Sequence, residues 1–346
     1  MKQVDYIIVG LGIAGMTFCE QLRKAGRSFV VVDQTEPNAT GVAGGTINPV
    51  VLKRFTPVWM AQEFLDTARA FYQSMEALLD QPFISDRSLV RVMANSEEIT
   101  TWQKAATKSE LSNFLDPTIH TQTPEGLNAP HGVGAVKGSF RIDPAAIKIA
   151  YANYLEASGQ LLRGPFEHEQ IQQTAEGLTY KEYHAKQLVF AEGVGVVDNP
   201  YFTINSFIPK KGAYIIVEAP DLKLDQPVKG RFFVIPLGDN RYKVGATFVH
   251  GDLSWTPTQQ SKDQVKEVLD KLLSVPYKIV EHQVGMRPTV KDRRPLMGSL
   301  GQKHIYFFNG LGTRGLLMAP TLCKWLFDYI EQGKPLPDVA DISRYA

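Results

Sequence analysis

Four apolar residues in a row, Tyr6-Ile7-Ile8-Val9, end at Gly10, and a helix-period segment from Ala14 to Ala25 ends at Gly26. A second apolar run, Phe29-Val30-Val31-Val32, closes on Asp33. Uninterrupted short runs on either side of a helical pattern predict a βαβ unit whose parallel strands are buried on both faces. Further on, Trp59, Phe64, Phe71, Met75, Leu78 and Leu79 recur at helical spacing and predict a long amphipathic helix. Asp143-Pro144 reads as an N-cap followed by proline at the first helical position. The helix it opens carries Ile147, Ala150, Tyr151, Tyr154 and Leu155 and stops before Gly159; Lys186 to Ala191 then predicts another buried strand.

Beyond that point the pattern changes to strands joined by turns. Ala213 to Val217, Arg231 to Ile235 and Tyr242 to Phe248 are β-rich, and Gly238-Asp239-Asn240 supplies hairpin chemistry between the last two. A helix follows around Asp263 to Ser274. The α/β style then returns, with a strand at His304 to Asn309, a glycine-rich turn, and a helix from about Gly315 to Gln332. The order predicts an α/β fold: a split Rossmann-type domain from 1–80, 143–205 and 285–346, interrupted by a β-rich antiparallel domain from 81–142 and 206–284. The second domain is expected to bind substrate. With 346 residues, 44% of them hydrophobic, the chain is long enough to bury both cores.

Charge and cysteine content remove several function classes. The 37 basic and 36 acidic side chains leave a net charge of +1, which gives no electrostatic signature for nucleic acid, although a local basic patch is compatible with that total. Cys19 and Cys323 stand far apart in apolar, helix-like stretches, so a disulfide framework is not expected and a reducing cytoplasm is the simpler setting. Tyr6 to Phe18 is apolar, but Asp5 precedes it and glycines punctuate it, so neither a signal peptide nor a membrane span is expected. The seven histidines, His120, His131, His168, His184, His250, His282 and His304, show no metal-ligand spacing. No marker fixes an oligomeric state.

The chemistry sits first in Gly10-x-Gly12-x-x-Gly15, between the first strand and the first helix. Gly10 permits the tight turn, Gly12 lets backbone approach a pyrophosphate, and Gly15 lets the helix pack on the strand. The helix N-terminus, through Ile13 and Ala14, presents N–H groups to phosphate. Asp33, with Gln34 after it, ends the second strand where an acid binds ribose hydroxyls. This unit by itself leaves FAD and NAD both open.

Other segments resemble the D-amino-acid oxidase superfamily of FAD-dependent oxidoreductases, which includes glycine and sarcosine oxidases. They are Gly41 to Pro49, Ala191-Glu192-Gly193, Phe233-Val234-Ile235-Pro236 with Val244 to Thr247, Gly285-Met286-Arg287-Pro288, and Gly310-Leu311-Gly312-Thr313-Arg314-Gly315 followed by Ala319-Pro320. They come in the family's order from residue 6 to about residue 332. The last segment is similar to the oxidase domain of the bifunctional enzyme that matures a tRNA wobble uridine. The resemblance implies a non-covalent FAD, since neither cysteine falls within the motifs. It implies cofactor contacts from Gly44, Gly45, Thr46, Asn48, Ala191, Gly193, Gly310, Gly312, Thr313, Arg314, Gly315 and Leu316, beside the fingerprint residues.

The resemblance also implies the reaction: oxidation of the C–N bond of a small amine or amino acid, with hydride passing to the flavin. Arg287 matches the arginine that pairs with a substrate carboxylate, or is a structural partner of Asp292. Arg314 is either a substrate or flavin contact or a structural residue. Phe233 stands where the glycine oxidase pattern has a tyrosine that helps hold the carboxylate. Arg141 is expected at the surface or, in the alternative, beside substrate. The competing readings are a carboxymethylamino group on a tRNA base as substrate, an NAD(P)-dependent dehydrogenase, and a flavoprotein whose pocket has lapsed.

Overall fold

The computed structural model describes residues 1–34, 38–249 and 251–345, so His250 lies outside the described residues. The Rossmann-type sheet sets five strands parallel: Leu161–Arg163, Phe29–Asp33, Lys2–Val9, Tyr183–Phe190 and Ile305–Asn309. The apolar runs explain the centre of it. Tyr6 to Val9 lie opposite Phe29 to Val32 on one side and Gln187 to Phe190 on the other, and all four are buried. Antiparallel strands Leu178–Tyr180 and Leu296–Gly298 extend the sheet.

From Lys2–Val9 the chain first crosses outward to Phe29–Asp33, whereas Tyr183–Phe190 leads to the opposite side and Ile305–Asn309. The reversal leaves a crevice beyond the carboxyl ends of Lys2–Val9 and Tyr183–Phe190, the place where open α/β sheets take their ligands. Helices Ile13–Lys24 and Gly315–Gln332 pack together over one face, with Ala61–Leu79 against the second of them. Cys19 and Cys323 are both free and buried in this core. Trp59 falls just ahead of the Ala61–Leu79 helix, because Met60 turns the chain in the left-handed region at φ 52°. Its ring still packs edge-on against Phe64 and Trp325.

The second sheet runs, in order, Lys278–Arg287, Lys210–Glu218, Arg241–Gly245, Phe233–Gly238, Val228–Lys229, Leu89–Val92, Val133–Val136 and Leu115–His120. Pairing is antiparallel except between Val228–Lys229 and Leu89–Val92. One face buries Ile215, Val217, Val234 and Val244 against Val265, Leu269 and Leu272 of the helix Gln259–Leu272. The other face carries Gly212, Tyr214, Phe233 and Lys243 toward the first core. Asp239 and Asn240 both have positive φ, 49° and 56°, the signature of a type I′ turn, where the sequence supplies hairpin chemistry.

Several strands depart from their expected limits: Arg231 to Ile235 is observed as Phe233–Gly238, and Lys186 to Ala191 as Tyr183–Phe190. The strand expected from Tyr242 to Phe248 stops at Gly245, and its pairing resumes irregularly as the Thr247 and Val249 N–H groups donate to the Ala213 and Lys211 carbonyls. The division expected at residue 285 falls inside Lys278–Arg287, which carries the second sheet as far as Arg287. Among the described residues no helix is long and apolar enough to cross a membrane.

The helix Pro144–Ala157 starts as its sequence predicts: the Asp143 carboxylate accepts from the Ala145 and Ala146 N–H groups at 3.1 and 3.0 Å. Replacing Asp143 by alanine is expected to lower stability by about 1 kcal/mol, the ordinary value of such a cap. Urea unfolding followed by far-ultraviolet circular dichroism measures it, and an unchanged midpoint would rule the cap out as a stabilising feature.

Candidate active site

At the crevice the glycines divide their tasks. Gly10 sits at φ +94°, and a Cβ there would lie 2.7 Å from the Ala191 carbonyl oxygen. A Cβ on Gly15 would lie 1.9 Å from the Gly10 oxygen, so only glycine lets the helix Ile13–Lys24 come this close to the strand end. Gly12 differs from both. Its nearest neighbour would be Thr40 Oγ1 at 3.4 Å, so the space before it is open. Gly12 is the N-cap of this helix and no side chain caps it, which leaves the amino end turned to that space. The Ile13 N–H is the exception, donating to Thr40 Oγ1 at 2.9 Å.

Asp33 Oδ1 accepts from the Leu11 N–H at 2.8 Å, tying the second strand to the glycine turn. Its Oδ2 lies 3.5 Å from Nζ of Lys148, a lysine only 5% exposed on the helix Pro144–Ala157. Gln34 is exposed. Thr40 and Lys148 had no signal in the sequence, because each reaches the turn only through tertiary packing.

A second amino end faces the same crevice. Ala191 continues the strand end, its N–H donating to the Val9 carbonyl, and Gly193 has nothing within 4 Å of a notional Cβ. Asn309, 1% exposed, donates from Nδ2 to the Gly193 carbonyl and accepts from the Gly310 N–H through Oδ1. That one amide locks two strand ends together. Gly312 at φ +56° likewise has open space beside it, Thr313 is exposed, and the helix Gly315–Gln332 begins at Arg314 without a side-chain cap. Leu316 is partly buried, and its carbonyl accepts from the Tyr72 hydroxyl.

The segment 43–50 crosses between the two sheets. A Cβ on Gly44 would lie 2.5 Å from Ile235 Cδ1 of the second sheet, and one on Gly45 2.0 Å from the Ile142 carbonyl oxygen. Thr46 Oγ1 is buried without a hydrogen-bond partner. Asn48 is buried and accepts from the Val50 N–H. Arg314 turns its guanidinium onto this segment, donating to the Asn48 carbonyl at 2.7 Å and the Val50 carbonyl at 3.3 Å. Its side chain therefore pins the loop, and burial lowers its pKa to about 10.

Arg287 is held differently. A Cβ on Gly212 would lie 2.2 Å from its Nη2, so that glycine makes room for the guanidinium. The group donates to the Thr247 carbonyl at 3.2 Å and the Lys211 carbonyl at 3.4 Å, and lies 4.2 Å from the centre of the Phe248 ring. Among the described residues no carboxylate stands within ion-pair reach of it. Asp292, the structural partner considered from the sequence, binds Arg344 instead at 3.0 Å. Burial lowers the Arg287 pKa, which is the response of a cation whose compensating charge is missing.

Phe233 lies on the same face as Tyr214, two strands away across Gly245. The Tyr214 hydroxyl lies beside Gly44, and burial raises its pKa, so it stays a neutral phenol. Arg141, expected at the surface, is 14% exposed; its Nη2 is 3.8 Å from Asp143 Oδ2 and its Nε has no partner. Near it in charge is Lys243, 7% exposed, which donates to the Val42 carbonyl at 3.0 Å and has its pKa lowered to about 8, chiefly by burial.

Two uncapped helix ends, open space before Gly12 and Gly312, and an unpartnered Thr46 hydroxyl form a cradle that suits a long dinucleotide with a flat ring. The profile of the FAD dependent oxidoreductase family matches residues 5–329, nearly the whole chain. The chain belongs to that family. It is 24% identical to the glycine oxidase of Pseudomonas aeruginosa over 96% of both chains. It is also 24% identical to the bifunctional tRNA 5-methylaminomethyl-2-thiouridine biosynthesis protein of Marinobacter nauticus, over 94% of this chain and 55% of that one. In fold it superposes on the glycine oxidase of Geobacillus kaustophilus with a TM-score of 0.82 at 18% identity, covering 100% of each. FAD is thus the cofactor, and the dehydrogenase alternative falls.

The Gly12→Val variant is expected to fold, since no backbone stands in its way, but to purify without flavin because the valine fills the pyrophosphate path. Absorbance of the purified protein reads this directly, and stoichiometric FAD at unchanged affinity would refute the assignment. Acid precipitation of the wild type is expected to leave all the flavin in the supernatant; a yellow pellet would mean covalent attachment.

Proposed function

We propose that this FAD-dependent oxidoreductase oxidises the C–N bond of an amine or amino acid that carries a carboxylate. The observation that carries the reading is Arg287: a half-buried guanidinium without an anionic partner among the described residues, held by two carbonyls and flanked by an aromatic ring. A lapsed pocket would gain nothing by keeping such a charge, because taking a cation partly out of water without a counter-charge costs free energy.

FAD, when bound, supplies the hydride acceptor. The chain's own part is positioning and electrostatics. Arg287 offers a planar fork to the substrate carboxylate, with two parallel charge-assisted hydrogen bonds replacing the long contacts to the Thr247 and Lys211 carbonyls. Phe233 gives an apolar wall where a tyrosine hydroxyl would otherwise donate, so the carboxylate depends on Arg287 for its charge partner. Tyr214 stays protonated and does not serve as a base. The substrate nitrogen therefore enters neutral and its proton leaves to solvent as the imine forms; water then hydrolyses the imine.

Arg287→Lys keeps the charge and loses the fork, while Arg287→Ala loses both. A charged hydrogen bond is worth roughly 1.5–3 kcal/mol, so a ten- to hundred-fold loss of affinity for a carboxylate substrate or inhibitor is expected per bond. Flavin content and melting temperature should stay near wild type. If both variants lost flavin or stability while affinity per folded molecule held, Arg287 would be a scaffold residue and the reading would fail.

A further inference from the structure

The cleft-facing side of the second sheet holds one more cation that neither the cofactor cradle nor Arg287 accounts for. Across the sheet Arg91 lies opposite Lys229, Lys229 opposite Phe233, and Phe233 opposite Gly245, so these side chains share a face. The Arg91 charge is met by Glu98, at 2.7 Å. The Lys229 charge is met by no carboxylate among the described residues. Its Nζ donates to the Arg231 carbonyl at 2.7 Å and lies 4.5 Å from the centre of the Phe233 ring. Burial, and secondarily the Arg91 charge, lowers its pKa to about 8. An ammonium disfavoured in this way gains most from an anion brought to it.

We infer that Lys229, above Phe233, receives a second acidic group of the substrate, so that the substrate is a dianionic amine held at opposite ends by Arg287 and Lys229. This rests on the amine-oxidising reading above. The spacing limits the molecule further. The Arg287 guanidinium lies over Gly212 and the Lys229 ammonium over Phe233. Their strands are two steps apart in the sheet, and Gly212 is offset by two residues from the row that holds Phe233. Strand spacing and rise put the two cations about 12 Å apart. That is within reach of a diacid with an aromatic spacer. Phe233 lies at the Lys229 end of such a molecule, where its ring offers an apolar surface and no hydroxyl that would need a polar partner.

The test compares N-benzylglycine with N-(4-carboxybenzyl)glycine on the FAD-loaded wild type and on Lys229→Met. Anaerobic titration gives Kd from the perturbed flavin spectrum, and bleaching of the flavin reports oxidation separately. The wild type is expected to bind the diacid roughly ten- to hundred-fold more tightly than the monoacid, as one charged hydrogen bond allows. Lys229→Met is expected to abolish that preference while its Kd for the monoacid stays within about twofold of wild type. Equal affinities in the wild type, a preference that survives in Lys229→Met, or equal loss of both ligands in that variant would each overturn the role of Lys229. Binding with the expected preference but no bleaching would uphold Lys229 and sink the amine-oxidising reading. Bleaching without preference would do the reverse.

Discussion

The rest of the site depends on a close approach of backbones, where the Gly10 carbonyl meets the helix at Gly15. A side chain at residue 15 would stand 1.9 Å from that oxygen, and one at residue 10 would strike the Ala191 carbonyl. With both absent, the helix Ile13–Lys24 presses onto the end of the central strand and its amino end opens toward the crevice. Asp33 then reaches the Leu11 N–H, Thr40 reaches the Ile13 N–H, and the strand Tyr183–Phe190 delivers Ala191 and Gly193 to the same point. A larger residue at position 15 would push the helix away and separate all of these together, which is why the cradle behaves as one unit.

The second sheet depends on that cradle through the segment 43–50. Gly44 is pressed by Ile235, Gly45 by the Ile142 carbonyl, and Arg314 fixes the Asn48 and Val50 carbonyls from the helix beyond. Lys243 closes the contact from the sheet side by donating to the Val42 carbonyl. The face that holds Arg287, Phe233 and Lys229 is thereby set against the first core, and the Phe233 ring packs on that core as well.

Local chemistry was legible from the sequence and tertiary chemistry was not. The glycine fingerprint, the Asp143-Pro144 helix start and the Asp239-Asn240 turn each depend on residues adjacent in the chain, and each folds as its sequence indicates. The helix Gly315–Gln332 agrees to the residue. Thr40, Lys148, Asn309 and Lys243 carried no signal, since their partners lie far away in sequence. Arg141 differs from its expected surface position for the same reason: nothing local in Ser139-Phe140-Arg141-Ile142-Asp143 shows that pairing with Thr46 and Ser85 leaves it only 14% exposed. The strand through Tyr242 overran its true end at Gly245 because periodicity cannot register a slip in pairing.

Two half-buried arginines show how much geometry adds to a motif. From sequence, Arg287 and Arg314 were both candidates to touch substrate, and burial depresses the pKa of both. Arg314 spends its donors on two carbonyls of one loop, one of them at 2.7 Å, and replacing it would release that loop. Arg287 has only carbonyl contacts of 3.2 to 3.4 Å and an aromatic face, all weaker than a carboxylate would provide. The two differ by that one short bond, which holds Arg314 to its loop. Arg287, whose bonds are all long and two of which share one carbonyl, has more free energy left to gain from a ligand, which supports the recognition role proposed for it.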